Sequence, residues 1–276
     1  MMTESMRTFA VQLQKLLQQK SDRGEHIDVF KLMNAFTMQA FAKMGFGADI
    51  DCLGAPEEHP FQSAFDSSQR LLMRRALRPT WLWHLERWLN IGAEAQLKRD
   101  IAVIDSTVMT IISQSLVRRQ EKQQRTSEDD TGFSDIVSIF LDRFDSTSTE
   151  KGEFDPTYLR DIVVNFLIAG RDTTAQAMSW CLYNLHKNPE VVRKIREEIA
   201  RELPAFFADR NAPAPTMEQV QQLTYLEATL KETLLIATVV SRFNIQFDDI
   251  DSITYTPSLT LPVRGAMMAR VTSSAP

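Results

Sequence analysis

Between Asp155 and Lys187 an otherwise apolar helical run is interrupted by Phe166 to Ala175, which reads Phe-Leu-Ile-Ala-Gly-Arg-Asp-Thr-Thr-Ala. No other stretch constrains the chain so tightly. Glycine and tandem threonines weaken a helix interior, and a threonine hydroxyl bonds the carbonyl one turn back. The run is therefore expected to bend or widen at Gly170 and Thr173, with Thr173 bonding toward the Ala169 carbonyl. An opened turn there offers a groove for a small ligand beside Asp172 and Thr173, two groups able to relay protons. Taken alone, the decapeptide also fits a close helix–helix approach at Ala169-Gly170 and a helix cap at Asp172.

The flanking segments decide between these readings. Ser179-Trp180 follows, then Leu185 to Val191, in which Asn188-Pro189 ends one helix and starts the next. Val191 to Glu202 has the pattern of a charged amphipathic helix, and Tyr225-Leu-Glu-Ala-Thr-Leu-Lys-Glu-Thr-Leu234 opens another after a Pro-rich loop. Taken in this order, the segments resemble the cytochrome P-450 superfamily, the haem-thiolate monooxygenases. The resemblance implies that Ala169 and Gly170 form an oxygen groove beside haem and that Asp172 and Thr173 deliver protons there. It also implies a haem iron cofactor, an NADPH-dependent reductase partner, a lipid-like substrate and residence at the endoplasmic reticulum membrane.

Composition is consistent with a helical globular chain. The 276 residues allow one large domain or two small ones, and 43% apolar residues supply a substantial core. The net charge of −5 is spread over interspersed acids and bases, so no basic face calls for nucleic acid. Cys52 and Cys181 are the only cysteines, too few and too far apart for a disulfide framework or zinc site, and both read as small buried or loop residues. His26, His59, His84 and His186 each fall at a loop or helix end and read as solvated or capping side chains. No uninterrupted apolar run is long enough to span a bilayer, and Met1-Met2-Thr3-Glu4 does not begin a signal peptide, so a soluble chain is expected.

Apolar spacing predicts a helix through Phe9, Leu13, Leu16 and Leu17, and a second through Leu32, Phe36, Ala40 and Met44 that ends at Gly45 and Gly47. Phe61 to Leu77, Trp81 to Leu89 and Ala93 to Gln123 read as further helices, with Asp51 to Pro60, Gln120 to Gly132 and Asp145 to Glu153 as loops or linkers. Asp28-Val29-Phe30 through Gly45-Phe46-Gly47 resembles the helix ending in a Gly-Phe-Gly turn in the fatty-acid and alkane omega-hydroxylase clan. Trp81 to Gly92 is similar to the segment between the two helices that roof the substrate chamber in that clan. Trp81, Trp83 and Trp88 also fit an interface or membrane-contact patch.

The resemblance breaks inside the helix that Tyr225 opens. The family's Glu-x-x-Arg pair is represented only by Glu232, because Leu235 stands where the arginine belongs. Ile236 to Arg242 and Phe243 to Phe247 then resemble the end of the family's last helix and its C-terminal strand, while Tyr255 to Pro262 and Met267 to Val271 resemble the closing hairpin region. The division expected is residues 1–235, a helical core, joined across an internal deletion to residues 236–276. The deletion removes the loop whose cysteine binds haem iron, and no cysteine here stands in a Phe-x-x-Gly-x-Arg-x-Cys-x-Gly context. Cys181, eight residues past Thr173, lies roughly 12 Å along an ideal helix and about 80° around it, away from the same groove. The match begins near the family's fourth helix, so the membrane anchor and the Trp-x-x-x-Arg segment for a haem propionate are not represented.

The expected fold is mainly α, an incomplete P-450 fold with a small C-terminal β hairpin. One helix from about Met217 to Arg242 and a strand Phe243 to Phe247 pairing with Met267 to Val271 are predicted. A chain of this lineage, truncated, is expected to bind haem poorly, to be inactive alone and to self-associate through exposed apolar surface. A non-catalytic helical interaction protein and a haem protein with another axial ligand are the alternatives.

Overall fold

Proline and glycine set most helix ends in the computed structural model, which describes residues 2–54, 58–124, 136–140, 156–209, 212–229, 239–254, 263 and 265–273. The architecture is mainly α. The helices are α1 (Met2–Asp22), α2 (Val29–Phe46), α3 (Pro60–Ala76), α4 (Thr80–Leu89), α5 (Gly92–Gln124), α6 (Pro156–Lys187), α7 (Pro189–Glu202), α8 (Pro204–Ala208), α9 (Met217–Val220) and α10 (Thr224–Thr229). Pro60, Pro189 and Pro204 occupy first-turn positions, where a missing N–H costs no helical bond. Asn90, in the left-handed region at φ 52°, closes α4, and its N–H reaches back to the carbonyls of Arg87 and Glu86. By contact density the chain forms two units, residues 41–169 and residues 1–40 with 170–276.

In the unit of residues 41–169, α3 and α4 pack against α5. Phe61, Phe65, Leu97, Val108 and Ile111 are buried there. Arg118 of α5 donates to the carbonyls of Phe46 (2.6 Å) and Gly47 (3.3 Å), covering orphan acceptors at the end of α2. Gly47 sits at φ +64°, which explains the Gly-Phe-Gly turn. One expectation is corrected here: α5 is long and apolar enough, by length and composition, to cross a membrane. Its charges gather near the two ends, leaving Asp105 alone within the apolar stretch from Ile101 to Val117.

In the other unit, β1 (His26–Asp28), β2 (Phe243–Phe247) and β3 (Met268–Ser273) form an antiparallel sheet in the order β1-β3-β2. Phe243 faces Ser273 and Phe247 faces Ala269 across β2 and β3, so the predicted strand pairing is present, with its partners shifted two residues later, from Met267–Val271 to Ala269–Ser273. The hairpin is in fact a three-stranded sheet, because Ile27 pairs with Ala269 on the opposite edge of β3. Asp28 Oδ1 accepts from the N–H of Met267 and of Lys31, and the Val29 N–H donates to the Met267 carbonyl. Chain start and chain end are thereby tied together.

The single helix predicted over Met217 to Arg242 is interrupted at Gln221–Leu223. Thr216 and Gln219 form a capping box that starts α9. α10 starts afresh because Glu198, a buried carboxylate of α7, accepts from the N–H groups of Tyr225 (2.7 Å) and Leu226 (2.9 Å) and from the Thr224 hydroxyl (3.3 Å). A cap supplied by another helix leaves no local sequence signal. Residues 239–242 are helical and run into β2. Glu232, Leu235, the division between residues 235 and 236, the Asp145 to Glu153 linker and the segment Tyr255 to Pro262 lie outside the described residues.

Candidate functional site

The central run folds as α6. Its buried row Leu159, Val163, Leu167, Ala175 repeats at steps of four, with Met178, Leu182 and Leu185 continuing the stripe. Arg171 occupies the step between Leu167 and Ala175, which is why a guanidinium is only 1% exposed. Buried beside it, Asp172 accepts from Arg171 Nη1 at 3.1 Å. The pair compensates two charges taken out of water together, and removing one partner from such a pair costs about 3–5 kcal/mol.

The other sequence-predicted residues fall on different surroundings. Ala169 and Thr173 are exposed, and Gly170 is half-buried. The α-helical assignment is unbroken from Pro156 to Lys187, so the widened turn expected at Gly170 and Thr173 is absent. Further along the helix the Ser179 hydroxyl donates to the Ala175 carbonyl at 2.7 Å, one turn back, without opening the helix. Sequence reasoning gave no role to Arg171. The step-of-four row through Leu167 and Ala175 was the available signal.

Haem-thiolate chemistry requires a cysteinate donor. Cys52 is buried in the loop after α2, in the unit of residues 41–169, and Cys181 is half-buried on α6. Neither stands in a Phe-x-x-Gly-x-Arg-x-Cys-x-Gly context. The histidines are committed locally: His59 Nδ1 caps α3 by accepting from the Phe61 N–H, and the His84 ring stacks on Trp83. His186 Nδ1 lies 3.1 Å from the Ile245 carbonyl, and His26 Nε2 lies 3.3 Å from Asp248 Oδ1. The donor set among the described residues does not fit a thiolate-ligated haem.

A cavity of about 690 Å³ lies in the unit of residues 1–40 and 170–276, lined by Leu182, Leu185, Val192, Phe207, Val240 and Phe243 among others. Its size is that of a small-molecule site. Its main cation, however, is engaged, because Arg196 donates to the carbonyls of Val240 (2.8 Å) and Phe243 (3.0 Å) and to Asn244 Oδ1 (2.7 Å). Burial pulls the Arg196 pKa below its usual value. No thiol lines this cavity among the described residues.

Residues 1–249 match the cytochrome P450 family. Cytochrome P450 86B1 of Arabidopsis thaliana is 33% identical over 81% of this chain and 40% of its own length. Cytochrome P450 94C1 of the same plant is 32% identical over 86% of this chain and 45% of its own length. A crystal structure of a cytochrome P450, CYP102L1, superposes with a TM-score of 0.77 over 99% of this chain and 78% of that one, at 15% identity, which is a likeness of fold. The chain belongs to the cytochrome P450 family, with the mainly α fold of that family. It spans less than half the length of the curated relatives it matches.

Proposed function

We propose that this chain descends from a monooxygenase inserting one oxygen atom into C–H bonds of long-chain fatty acids or alkanes, and that by itself it does not catalyse that reaction. The lineage rests on the family match, on the Ala169-Gly170-Arg171-Asp172-Thr173-Thr174 run in α6 and on the Gly-Phe-Gly turn at Gly45–Gly47. In an intact relative, haem would supply the iron at which oxygen is activated, a reductase the electrons, Asp172 and Thr173 the protons, and Ala169 and Gly170 the groove. The observation that carries the inactivity is the donor set. Residues 230–242, which join α10 to β2, contain no cysteine, and Cys52 and Cys181 stand outside the family's cysteine context.

The test is an absorbance spectrum of the purified, reduced chain under carbon monoxide, after expression with haem precursor. No thiolate-type Soret shift is expected, and Thr173→Ala is expected to change no turnover. A clear thiolate shift overturns the proposal. A histidine-type Soret band would instead assign a haem with another ligand. The second reading, a non-catalytic helical interaction protein, is favoured by α4, none of whose residues is buried.

A further inference from the structure

We infer that the cavity bounded by the end of α6, α7, α8 and β2 binds a small monocarboxylate with an apolar body, whose charge is received by Arg196. None of Ala169, Gly170, Asp172 and Thr173 lines this cavity. The site is therefore distinct from the oxygen groove of the lineage and does not rest on that reading.

The walls select the body of the ligand. Val192 and Ala200, two turns apart on α7, face Phe207 of α8 and Val240 and Phe243 at the entry to β2. A volume of about 690 Å³ is that of a site which buries an apolar molecule and orients it with a few fixed polar groups. An added peptide strand is a poorer occupant, although β2 is an edge strand. Its Phe243 and Ile245 carbonyls, two residues apart, are already taken by Arg196 and by His186 Nδ1.

Arg196 selects the head. A guanidinium carries five N–H groups and keeps its charge at neutral pH. Nε is bonded to the Val240 carbonyl, and Nη2 to the Phe243 carbonyl and Asn244 Oδ1. Those three bonds hold the fork still and leave both N–H groups of Nη1 without a partner among the described residues. All three acceptors are neutral, so the charge itself is not compensated. Arg193, which lines the same cavity, differs: it is bonded to Glu190 and Glu197, and Glu197 is thereby kept from Arg196. Burial pulls the Arg196 pKa down with no opposing charge to restore it. A carboxylate on Nη1 supplies that charge through a bond stronger than a neutral one. With Arg193 already paired, one cation remains, which suits a monoanion rather than a phosphate dianion.

The experiment is isothermal titration calorimetry of the full chain with 4-phenylbutyrate, 4-phenylbutanol and 4-phenylbutylamine, which share one apolar body and differ in charge. The carboxylate is expected to bind about ten- to a hundredfold more tightly than the alcohol, as a hydrogen bond to a charged group contributes, and the amine not to bind. Ala200→Phe, from a half-buried position on the cavity wall, is expected to abolish binding of both carboxylate and alcohol. Arg196→Gln is expected to erase the preference for the carboxylate while leaving the alcohol's affinity unchanged. Circular dichroism accompanies both variants. If Arg196→Gln does not fold, the three ligands on the parent and Ala200→Phe decide alone. Equal affinity for acid and alcohol, no binding of the acid, or binding untouched by Ala200→Phe overturns the inference.

Discussion

In the unit of residues 1–40 and 170–276, Glu198, Arg196 and Asp28 each reach from one element to backbone groups of another. Around α4, by contrast, Arg78 pairs with Glu86 of the helix and Arg75, held by Glu94 of α5, lies over its Trp83 ring, steadying a helix with no buried residue. The first region uses charge to close chain ends that hydrophobic packing alone leaves open. The second uses charge to orient an apolar surface outward. Both contain charged amphipathic helices, so amphipathicity does not tell which role a helix plays; the partner of each charge does.

Replacing Glu198 should give the largest effect. One buried carboxylate satisfies two orphan N–H groups and a hydroxyl at the start of α10, and hydrogen bonds to charged acceptors contribute about 1.5–3 kcal/mol each before overlap. Glu198→Ala is expected to lower stability by about 3 kcal/mol, read from the urea midpoint at unchanged slope. Glu198→Gln should recover part of that loss. A Glu198→Ala midpoint equal to the parent's would show that α10 is held by packing alone.

Arg196 sharpens the same contrast at smaller size. Its guanidinium joins α7 to the turn into β2 through the Val240 and Phe243 carbonyls, and its side chain is only partly buried. Arg196→Ala is expected to cost about 2 kcal/mol, and Arg196→Lys to recover little, because a point charge cannot bond several acceptors in a plane. Full rescue by lysine would mean that charge rather than fork geometry carries the contact.

These two residues also mark the limit of what sequence shows. The helix starts at Pro60 and Pro189 are written locally, and so is β2, whose pairing with β3 was foreseen. β1 was missed because three residues, His26–Asp28, are too short a run for alternation to be read and owe their pairing to Met268–Arg270 at the far end of the chain. The break before α10 was missed because its cap comes from α7. At the candidate site, glycine and threonine propensities predicted a widened turn, yet α6 stays α-helical where Arg171 and Asp172 are buried together. Tertiary packing outweighs a propensity deficit of about 1 kcal/mol per residue. The family's decapeptide was legible; the environment of each of its side chains was not.

The smallest expected effect lies at an exposed pair and tests the lower end of the same scale. The Lys20 ammonium, hydrogen-bonded to Glu25, holds that carboxyl below the usual carboxylate range, with Arg23 adding to the pull. A carboxyl whose folded pKa is depressed stabilises the fold fully above its unfolded pKa, near 4.3, and that contribution disappears as pH falls through the folded value. Stability should therefore decline slightly more steeply below about pH 4.3 in the parent than in Lys20→Ala, with the two nearly parallel at neutral pH. Because the pair is solvated, the difference should shrink further in high salt, as screening weakens exposed pairs first. The measurement is the Glu25 carboxyl titration by NMR in both proteins. A Glu25 midpoint that does not rise on Lys20→Ala would remove the pair from the charges that tie α1 to the start of β1.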